Sequence, residues 1–425
     1  KLCESSGLCF TVAGFEIYVL EEKLMEKGFF KGVITGAIAA VFIGAVVIGI
    51  GDAVSGSYKS NTVVDKEFED KVNNLTSYID TFYLDADKVK KEDLQNGMYK
   101  GLMNSIDDKY AQYYTPDEYN DFQETNNGQY GGIGAYVSQN SDTGDIVIVN
   151  PFDGAPAKEA GIKPGDIIVD IDGTSVVGME LSDAVTLMKG EPDTDVSVKV
   201  LRDGEYIDVN ITRKVVDVPT VKHEIIENGD IGYIYVSGFD KVTSTQFRQA
   251  LDDIEAKNAK ALIVDIRDNG GGMLDVVVDM LDRLLPEGLL VYTETNQGRD
   301  EEYYSTNEEY YDKPMAVLIN GYSASASEVF AGAGQDYKAG TIIGTTSYGK
   351  GIVQSIFSLN KDGDGSAIKL TTARYYTPNG RNIHGIGITP DITVEYNEEL
   401  VEERDGLYYD NQMLMAISVL KNEIK

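Results

Sequence analysis

The feature that most restricts the fold of this chain is a run of residues without a charged side chain, residues 32–51. A helix rises about 1.5 Å per residue, so this run forms a helix of about 30 Å, enough to cross a bilayer core. A buried helix of a soluble domain normally keeps a polar stripe, which this run lacks. A cleaved signal peptide normally has a shorter apolar region, and Ala53-Val54-Ser55 is a poor cleavage site. We therefore predict a retained transmembrane helix over residues 32–51.

Basic residues precede this run and Asp52 follows it. The basic residues are Lys23, Lys27 and Lys31. Positive charge is retained on the cytoplasmic side of a membrane, which predicts a cytoplasmic leader over residues 1–31. The rest of the chain is then extracytoplasmic, on a protein that spans the cell membrane once. Met25 has the surroundings of a natural start, and no structure is predicted for residues 1–24.

The composition excludes several kinds of function. The chain carries a formal net charge of −33 and has a pI of about 4.3, so it repels the phosphate backbone of a nucleic acid. Both cysteines, Cys3 and Cys9, precede the apolar run, which leaves the rest of the chain without a disulfide or a thiol nucleophile. The two histidines, His223 and His384, are too few for a typical zinc site. We predict no metal, no cofactor and no nucleic-acid partner.

Hydrophobic patterning divides the part after the apolar run into three regions. Residues 52–126 have apolar positions at helical spacing and are predicted to be helical. Residues 127–214 alternate over short segments between turn signals, which predicts a mostly β domain with one helix, 181–188. Residues 215–425 alternate strand runs with helical runs, which predicts an α/β core and a C-terminal helix. The predicted core strands are 231–236, 261–267, 315–319, 341–344, 352–359 and 367–376, and the predicted core helices are 244–257, 274–285 and 325–337.

The predicted β domain resembles a PDZ domain, and residues 157–168 are the most specific part of the resemblance. In PDZ domains a glycine-containing loop offers backbone N–H groups to the terminal carboxylate of a peptide, which pairs with the adjacent strand. The matching loop here is Gly132-Ile133-Gly134-Ala135. Ala135 is smaller than the large apolar residue usual at its place. The alternative is that these glycines only form a tight turn.

Three serines alternate where a strand is predicted to give way to a helix: Ser323, Ser325 and Ser327. One interpretation is a helix cap, since Ser325 and Glu328 have the spacing of a capping box. Three hydroxyls exceed what a cap needs, and the free N–H groups of a helix start can stabilise an oxyanion. The segment does not match the G-x-S-x-G pattern of α/β-hydrolases. Ser325 is therefore a candidate nucleophile.

With so few histidines, a lysine is the remaining candidate for the base. Lys350 lies between Gly349 and Gly351, which allow the backbone to pack closely. Its pKa must fall from about 10.4 towards neutrality, which burial can achieve. The same segment nearly matches a phosphate-binding P-loop, but Gly351 replaces the hydroxyl residue that holds magnesium. Residues 360–365 imitate the start of a calcium loop, but Thr371 stands where a glutamate is required, and a hairpin turn fits better.

Three motifs in order resemble the carboxy-terminal processing (tail-specific) proteases: residues 265–272, 323–328 and 347–354. The resemblance covers about residues 62–420 and implies a crotonase-like layered β/α protease core with an inserted PDZ-like domain. It also implies the site: nucleophile Ser325, general base Lys350, Gln354 orienting the lysine amine, and an oxyanion hole made by the backbone N–H groups of Gly271 and Ala326. Gly270 stands where a proline is usual and Tyr348 where a phenylalanine is; neither change removes a chemical group.

Together these observations predict a membrane-anchored, extracytoplasmic serine endopeptidase that cleaves proteins or peptides through a Ser-Lys acyl-enzyme mechanism. The PDZ-like domain predicts that substrates are recognised by their free C-terminal tails. The alternative is a PDZ peptide-binding scaffold with an inactive protease core, against which the joint presence of Ser325, Lys350 and Gln354 argues. A trypsin-like PDZ protease fits less well, because neither histidine has a matching aspartate and serine. The sequence does not identify the substrate, and it is compatible with a homodimer.

Overall fold

A computed structural model describes residues 8–12, 15–19, 63–306, 309–359, 364–404 and 407–424. The predicted transmembrane helix, 32–51, lies outside these residues, as does most of the predicted hairpin turn at 360–365. In the part of the chain that the structure describes, no helix is long and apolar enough to span a bilayer. The described residues form two compact units, one within 1–44, 120–354 and 372–425 and the other within 45–119 and 355–371.

The elements are numbered in chain order. The helices are α1 (Lys66–Phe82), α2 (Lys91–Asn104), α3 (Pro116–Asn127), α4 (Pro156–Glu159), α5 (Leu181–Met188), α6 (Thr243–Ala256), α7 (Leu274–Leu284), α8 (Ala326–Tyr337) and α9 (Asn411–Glu423). The strands up to the end of the inserted domain are β1 (Leu8–Val12), β2 (Phe15–Val19), β3 (Gln112–Tyr114), β4 (Gln129–Gly132), β5 (Ala135–Asn140), β6 (Ile146–Pro151), β7 (Ile167–Ile171), β8 (Thr174–Ser175), β9 (Asp195–Arg202), β10 (Glu205–Thr212) and β11 (Lys214–Asp217). The later strands are β12 (Val221–Ile226), β13 (Ile231–Val236), β14 (Ala261–Asp265), β15 (Gly288–Thr295), β16 (Gly298–Ser305), β17 (Met315–Ile319), β18 (Thr341–Gly344), β19 (Ile352–Ser358), β20 (Ala367–Tyr376), β21 (Ile392–Thr393), β22 (Glu402–Arg404) and β23 (Leu407–Tyr409).

The smaller unit is mainly helical, as predicted. It contains α1, which begins where the Asp65 side chain accepts the Phe68 N–H at 2.9 Å, and α2. It also contains β3, which the sequence analysis did not anticipate and which pairs antiparallel with residues 367–369 of β20. A strand this short has too few residues to show alternation, so local patterning does not reveal it.

The inserted domain is an antiparallel sheet with the strand order β10-β9-β7-β6-β5, covered by α5. Leu181, Ala184 and Met188 of α5 are buried in one cluster with Ile148 and Val198 of the sheet, because their helical spacing places them on one face. The domain is joined to the rest of the larger unit through β4 and β11, which pair antiparallel with each other. The edge of β5 opposite to β6 pairs antiparallel with β1. A strand can therefore add to β5 beside α5.

The α/β core is built on the sheet β12-β13-β14-β17-β18-β21, in which all neighbours except β12 and β13 run parallel. Helices cover both faces. Leu262 and Val264 of β14 pack in the cluster that holds α6, α7 and α8, whereas Ala261 and Ile263 pack in the cluster that holds α9. Successive residues of a strand point to opposite faces, so a strand covered on both sides is apolar throughout. This is why the core strands read as continuous apolar runs.

Every predicted core helix and strand is present, with bounds that differ by at most two residues. The parallel strands β14, β17 and β18 end at the same edge of the sheet. The loops that follow them contain the three motifs of the sequence analysis. Polar residues from distant parts of the chain therefore meet at the carboxyl edge of the sheet, where open α/β sheets bind their ligands.

Candidate active site

Ser325 lies between β17 and α8 in a conformation that few residues with a side chain adopt. Its φ is 60° and its ψ is −115°, and the residue is completely buried. Such a conformation costs about 1–3 kcal/mol and is found mainly at functional sites. Its backbone N–H donates to Glu328 Oε2 at 2.8 Å, which is one half of the expected capping box. Ser325 is thus both a helix cap and a strained, buried hydroxyl residue.

The structure distinguishes Ser325 from the two serines beside it. The Ser323 hydroxyl donates to the carbonyl oxygen of Ile266 at 2.8 Å, and the Ser327 hydroxyl donates to that of Asn269 at 2.8 Å. These two bonds tie the start of α8 to the loop that follows β14. Among the described residues, none accepts or donates a hydrogen bond to the buried Ser325 Oγ, and this includes the Lys350 amine. A buried polar atom without a partner is rare and points to a chemical role.

Glu328, on the first turn of α8, joins the Ser325 segment to the Lys350 segment. Its buried carboxylate accepts the N–H groups of Ser325 and Lys350 at 2.8 Å each. It also accepts the Ser347 hydroxyl and the Gly349 N–H, both at 2.6 Å. Burial raises the pKa of Glu328, and these four hydrogen bonds oppose the rise. The sequence predicts only a capping role for Glu328.

Tyr375 of β20 joins the same two backbones from the other side. Its buried hydroxyl lies 2.9 Å from the carbonyl oxygen of Ser325 and is also hydrogen-bonded to that of Lys350. Ser325 and Lys350 therefore share Glu328 through their N–H groups and Tyr375 through their carbonyl groups. The role of Tyr375 does not follow from the sequence, because nothing in its local pattern separates it from an ordinary core tyrosine.

Lys350 and Gln354 are both buried, each with 1% of its surface exposed. Lys350 lies in the loop after β18, and Gln354 follows it on β19. The expectation that glycines allow close packing here is confirmed. A Cβ atom on Gly351 would lie 2.7 Å from the backbone N of His384, so a larger residue would force the loops apart. The structure therefore holds an amine and an amide side chain inside the protein, beside the Ser325 segment.

The expected oxyanion-hole residues lie next to each other. A Cβ atom on Gly271 would be 2.7 Å from Ser325 Cβ and 3.0 Å from the backbone N of Ala326. Ala326 is the first residue of α8, where backbone N–H groups have no helical acceptor. The Gly271 N–H, in contrast, donates to Asn269 Oδ1 at 2.8 Å. An oxyanion at this place can take the Gly271 donor only if that bond to Asn269 is exchanged.

The histidines do not form a catalytic group with Ser325. His223 Nε2 lies 2.9 Å from Asp253 Oδ2, on the partly exposed surface of β12 and α6. The side chain of His384 is exposed, although its backbone lies beside Gly351. In the described residues, no group of histidine, cysteine, aspartate and glutamate side chains could hold a metal ion.

The residues of the predicted peptide-binding loop come together at the end of β4 and the start of β5. Ile133 and Ala135 line a small cavity between β5 and α5, with Val185 and Met188 on the helix side. Gly132 and Gly134 complete the turn between the two strands. The glycines form the turn, as in the tight-turn alternative, and the loop residues that line the cavity are Ile133 and Ala135.

Comparisons with known proteins agree with this architecture. Residues 230–394 match peptidase family S41, and residues 131–212 match the PDZ domain family. A carboxy-terminal-processing protease of Bartonella bacilliformis is 35% identical over 398 residues, which cover 91% of this chain and 87% of that protein. The carboxy-terminal processing protease CtpA of Bacillus subtilis is 35% identical over 375 residues, which cover 88% of this chain and 78% of that protein.

Among solved structures, the photosystem II D1 C-terminal processing protease is 29% identical to this chain. The match covers 80% of this chain and 90% of that one, with a TM-score of 0.45. The two sequence relatives named above extend over most of both chains, from the helical region through the PDZ domain and the α/β core. The chain therefore belongs to peptidase family S41 and is a carboxy-terminal processing serine protease with an inserted PDZ domain.

Proposed function

We propose that Ser325 is the nucleophile and Lys350 the general base of this protease. The observation that carries the proposal is the difference in hydrogen bonding between the hydroxyls of the three serines. Ser323 and Ser327 use their hydroxyls to hold the backbone, and the buried Ser325 hydroxyl has no partner among the described residues. The backbones of Ser325 and Lys350 are held together by Glu328 and Tyr375. Gln354, which is buried on β19, orients the lysine amine.

The proposed reaction is acyl transfer in two steps. Ser325 Oγ forms a bond to the carbonyl carbon of the scissile peptide while Lys350 Nζ takes the hydroxyl proton. The negative charge on the carbonyl oxygen is stabilised by the N–H groups of Ala326 and Gly271, the latter after leaving Asn269. Lys350 returns the proton to the departing amine as the C–N bond breaks. A water molecule, deprotonated by Lys350, then cleaves the ester and restores the Ser325 hydroxyl.

The test of this assignment uses a phosphonylating probe together with peptide cleavage. We expect a single labelled serine, Ser325, and the complete loss of both labelling and cleavage in Ser325→Ala and Lys350→Ala. His384→Ala is the matched control, because its backbone lies beside Gly351 while its side chain is exposed; it should keep substantial activity. A label on Ser323 or Ser327, or an active Lys350→Ala variant, would contradict the assignment.

We also propose that the PDZ domain recognises the free C-terminal tails of substrates. Ile133 and Ala135 of the loop line an apolar cavity, and the edge of β5 accepts an antiparallel strand. In PDZ domains the loop at this place offers backbone N–H groups to a terminal carboxylate. A peptide that adds to β5 takes the position of β1. The relatives of this chain are named for carboxy-terminal processing, which supports the same recognition.

The membrane anchor over residues 32–51 and the extracytoplasmic position of the protease remain proposals based on the sequence. A segment before a membrane helix cannot pair with a domain on the other side. The proposal therefore requires β1 to leave β5 in the anchored protein. A reporter enzyme that is active only outside the cytoplasm, fused after residue 60, should be active. Reporter activity restricted to the cytoplasm would contradict both the orientation and the extracytoplasmic substrates.

Self-association is proposed from α1. None of its residues is buried, and Leu75, Tyr78 and Phe82 expose 58%, 65% and 75% of their surfaces on one helical face. A contiguous apolar face of this kind is normally covered in the working protein. A homodimer in which two copies of α1 cover each other satisfies this requirement.

A further inference from the structure

The loops that carry the proposed nucleophile and the proposed oxyanion donor leave adjacent parallel strands. β14 and β17 are direct neighbours in the sheet, and the Ile266 N–H donates to the carbonyl oxygen of Leu318 at 3.1 Å where the two strands end. Gly271 lies in the loop after β14, and Ser325 lies in the loop after β17. Because the ladder of the sheet ends here, the spacing of the two loops beyond it depends on contacts between their own residues.

On the buried side, the two loops are joined by the hydroxyls of Ser323 and Ser327, which donate to carbonyl oxygens of the loop after β14. The Ala324 N–H adds a third bond, to the carbonyl oxygen of Asn269 at 3.0 Å. The side chains of both serines and the whole of Asn269 are buried. These three bonds fix one side of the two loops.

On the solvent-facing side, the half-buried Asn320 makes a reciprocal pair with the exposed Asp268. Its Oδ1 accepts the Asp268 N–H at 3.0 Å, and its Nδ2 donates to Asp268 Oδ1 at 2.9 Å. The same Oδ1 accepts the Tyr322 N–H at 3.0 Å. An amide group carries an acceptor and a donor side by side, which this reciprocal pair requires. Asn320 thus joins the first turn of its own loop to the loop of the oxyanion donor.

Asp268 has a backbone conformation that its neighbours must hold. Its φ is 59°, in the left-handed region that aspartate adopts more readily than most residues but still at a cost. Asp268 lies three residues before Gly271, where a Cβ atom would be 2.7 Å from Ser325 Cβ. A change of the backbone at Asp268 therefore moves the oxyanion donor relative to the nucleophile. A misplacement of about 1 Å can lower a rate about 100-fold.

We propose that Asn320 is a positioning residue that sets the distance between the Ser325 hydroxyl and the Gly271 N–H by holding Asp268. The inference rests on the proposed roles of Ser325 and Gly271, and it adds a residue that acts on them through the loops. The Gly271 N–H stabilises a charge that exists only after the nucleophile has attacked. Asn320 therefore affects kcat and leaves KM nearly unchanged.

The test reverses the direction of the side-chain hydrogen bond in the full chain. Asn320→Asp places a carboxylate opposite that of Asp268, and at pH 8 the two like charges repel each other. Adding Asp268→Asn to the same chain restores the bond, because the new amide donates to the new carboxylate, which still accepts the two backbone N–H groups. Asn258→Asp is the matched control: it makes the same change at an exposed residue between α6 and β14, at the opposite end of that strand.

The kinetic constants and the melting temperature of each variant are measured, with activity assayed well below the melting temperature. We expect Asn320→Asp to lower kcat about tenfold with KM within about twofold of the parent value. The double variant should recover most of this loss, and Asn258→Asp should keep the kcat of the parent.

An unchanged kcat in Asn320→Asp, with or without a lower melting temperature, would overturn the positioning role. A change in KM instead of kcat, or a double variant as slow as Asn320→Asp, would overturn it as well. The phosphonylating probe distinguishes this failure from that of the proposed function. A label on a residue other than Ser325 in the parent protein would overturn the proposed nucleophile, on which the inference depends.

Discussion

At the scale of single residues, the site depends on groups that touch the backbone of the proposed catalytic pair. Tyr375 reaches the carbonyl oxygens of Ser325 and Lys350. We expect Tyr375→Phe to lower kcat about tenfold with little change in KM, because both carbonyl oxygens lose the hydroxyl that they share, which misplaces two reacting side chains without altering the substrate site. Tyr376→Phe is the control: the next residue of the strand points to the opposite face and stacks on Tyr292. Equal kcat values for the two variants would contradict this role.

Glu328 is the second residue of this kind, and its four hydrogen bonds require an ionised carboxylate. Glutamine has nearly the same shape but can accept hydrogen bonds through only one oxygen, and its amide N–H₂ would face backbone donors. We expect Glu328→Gln to reduce kcat about 10- to 100-fold and to lower the melting temperature. Steady-state kinetics and thermal unfolding of the same preparation check the two effects. An unchanged melting temperature would show that the carboxylate does not hold the two segments together.

Asp240, just before α6, makes the stability of the protein depend on pH. Burial raises the pKa of Asp240 to about 7, whereas an aspartate in the unfolded chain has a pKa of about 3.9. Between these values the folded state keeps a proton that the unfolded state releases, so the free energy of unfolding falls as the pH rises from about 4 to about 7. Asp240→Asn cannot ionise. We expect its melting temperature to exceed that of the parent by more at pH 8 than at pH 4; the same difference at both pH values would contradict this.

The motifs at residues 265–272, 323–328 and 347–354 could be predicted from the sequence, because each is local and their order is specific. The roles of Tyr375 and Asn269 could not be predicted. Tyr375 acts on a serine and a lysine that come close only through the parallel order of β14, β17 and β18. The Asn269 side chain holds Gly271 through a turn geometry that no pattern of residue types specifies.

At the scale of elements, local periodicity predicted the core helices and strands, and it missed strands that lack an apolar alternation or are too short to show one. β15 and β16 form a hairpin whose exposed strand carries mostly charged and tyrosine side chains, so it lacks an apolar alternation. β3 exists because residues 367–369 pair with it. Strand formation depends on such neighbours more than on intrinsic preference.

The exposed face of α1 gives a prediction at this scale. If two copies associate through it, an acidic residue in its centre should separate them, because burying an unpaired carboxylate is costly. We expect Leu75→Glu to shift the protein from dimer to monomer in sedimentation velocity experiments. Asn73→Glu is the control, as it adds the same charge at an exposed position outside the Leu75, Tyr78 and Phe82 face. Dissociation by both variants would indicate a general charge effect instead of a specific interface.

At the scale of the whole molecule, the PDZ domain can be removed while the pairing of β4 with β11 is kept. Gly132 of β4 and Lys214 of β11 are direct partners in the antiparallel pair. Replacing residues 133–213 by Asn-Gly closes this pair as a two-residue hairpin. We expect the parent enzyme to cleave a peptide with an apolar C-terminal residue faster as the free acid than as the amide, and the excised enzyme to cleave both at one rate. A preserved acid preference after excision would place tail recognition outside the PDZ domain.

The pairing of β4 with β11 also has a consequence for how the chain folds. A loop of n residues must be closed before the elements on either side can meet, and the entropy lost grows with the logarithm of n. Between α3 and β12 this loop contains the whole PDZ domain, whose sheet is complete in itself apart from β1. Once the domain has folded, the two chain ends that leave it are already side by side at Gly132 and Lys214. The protease core then assembles as if the insertion were a short turn, so the length of the inserted domain has little effect on the rate at which the core folds.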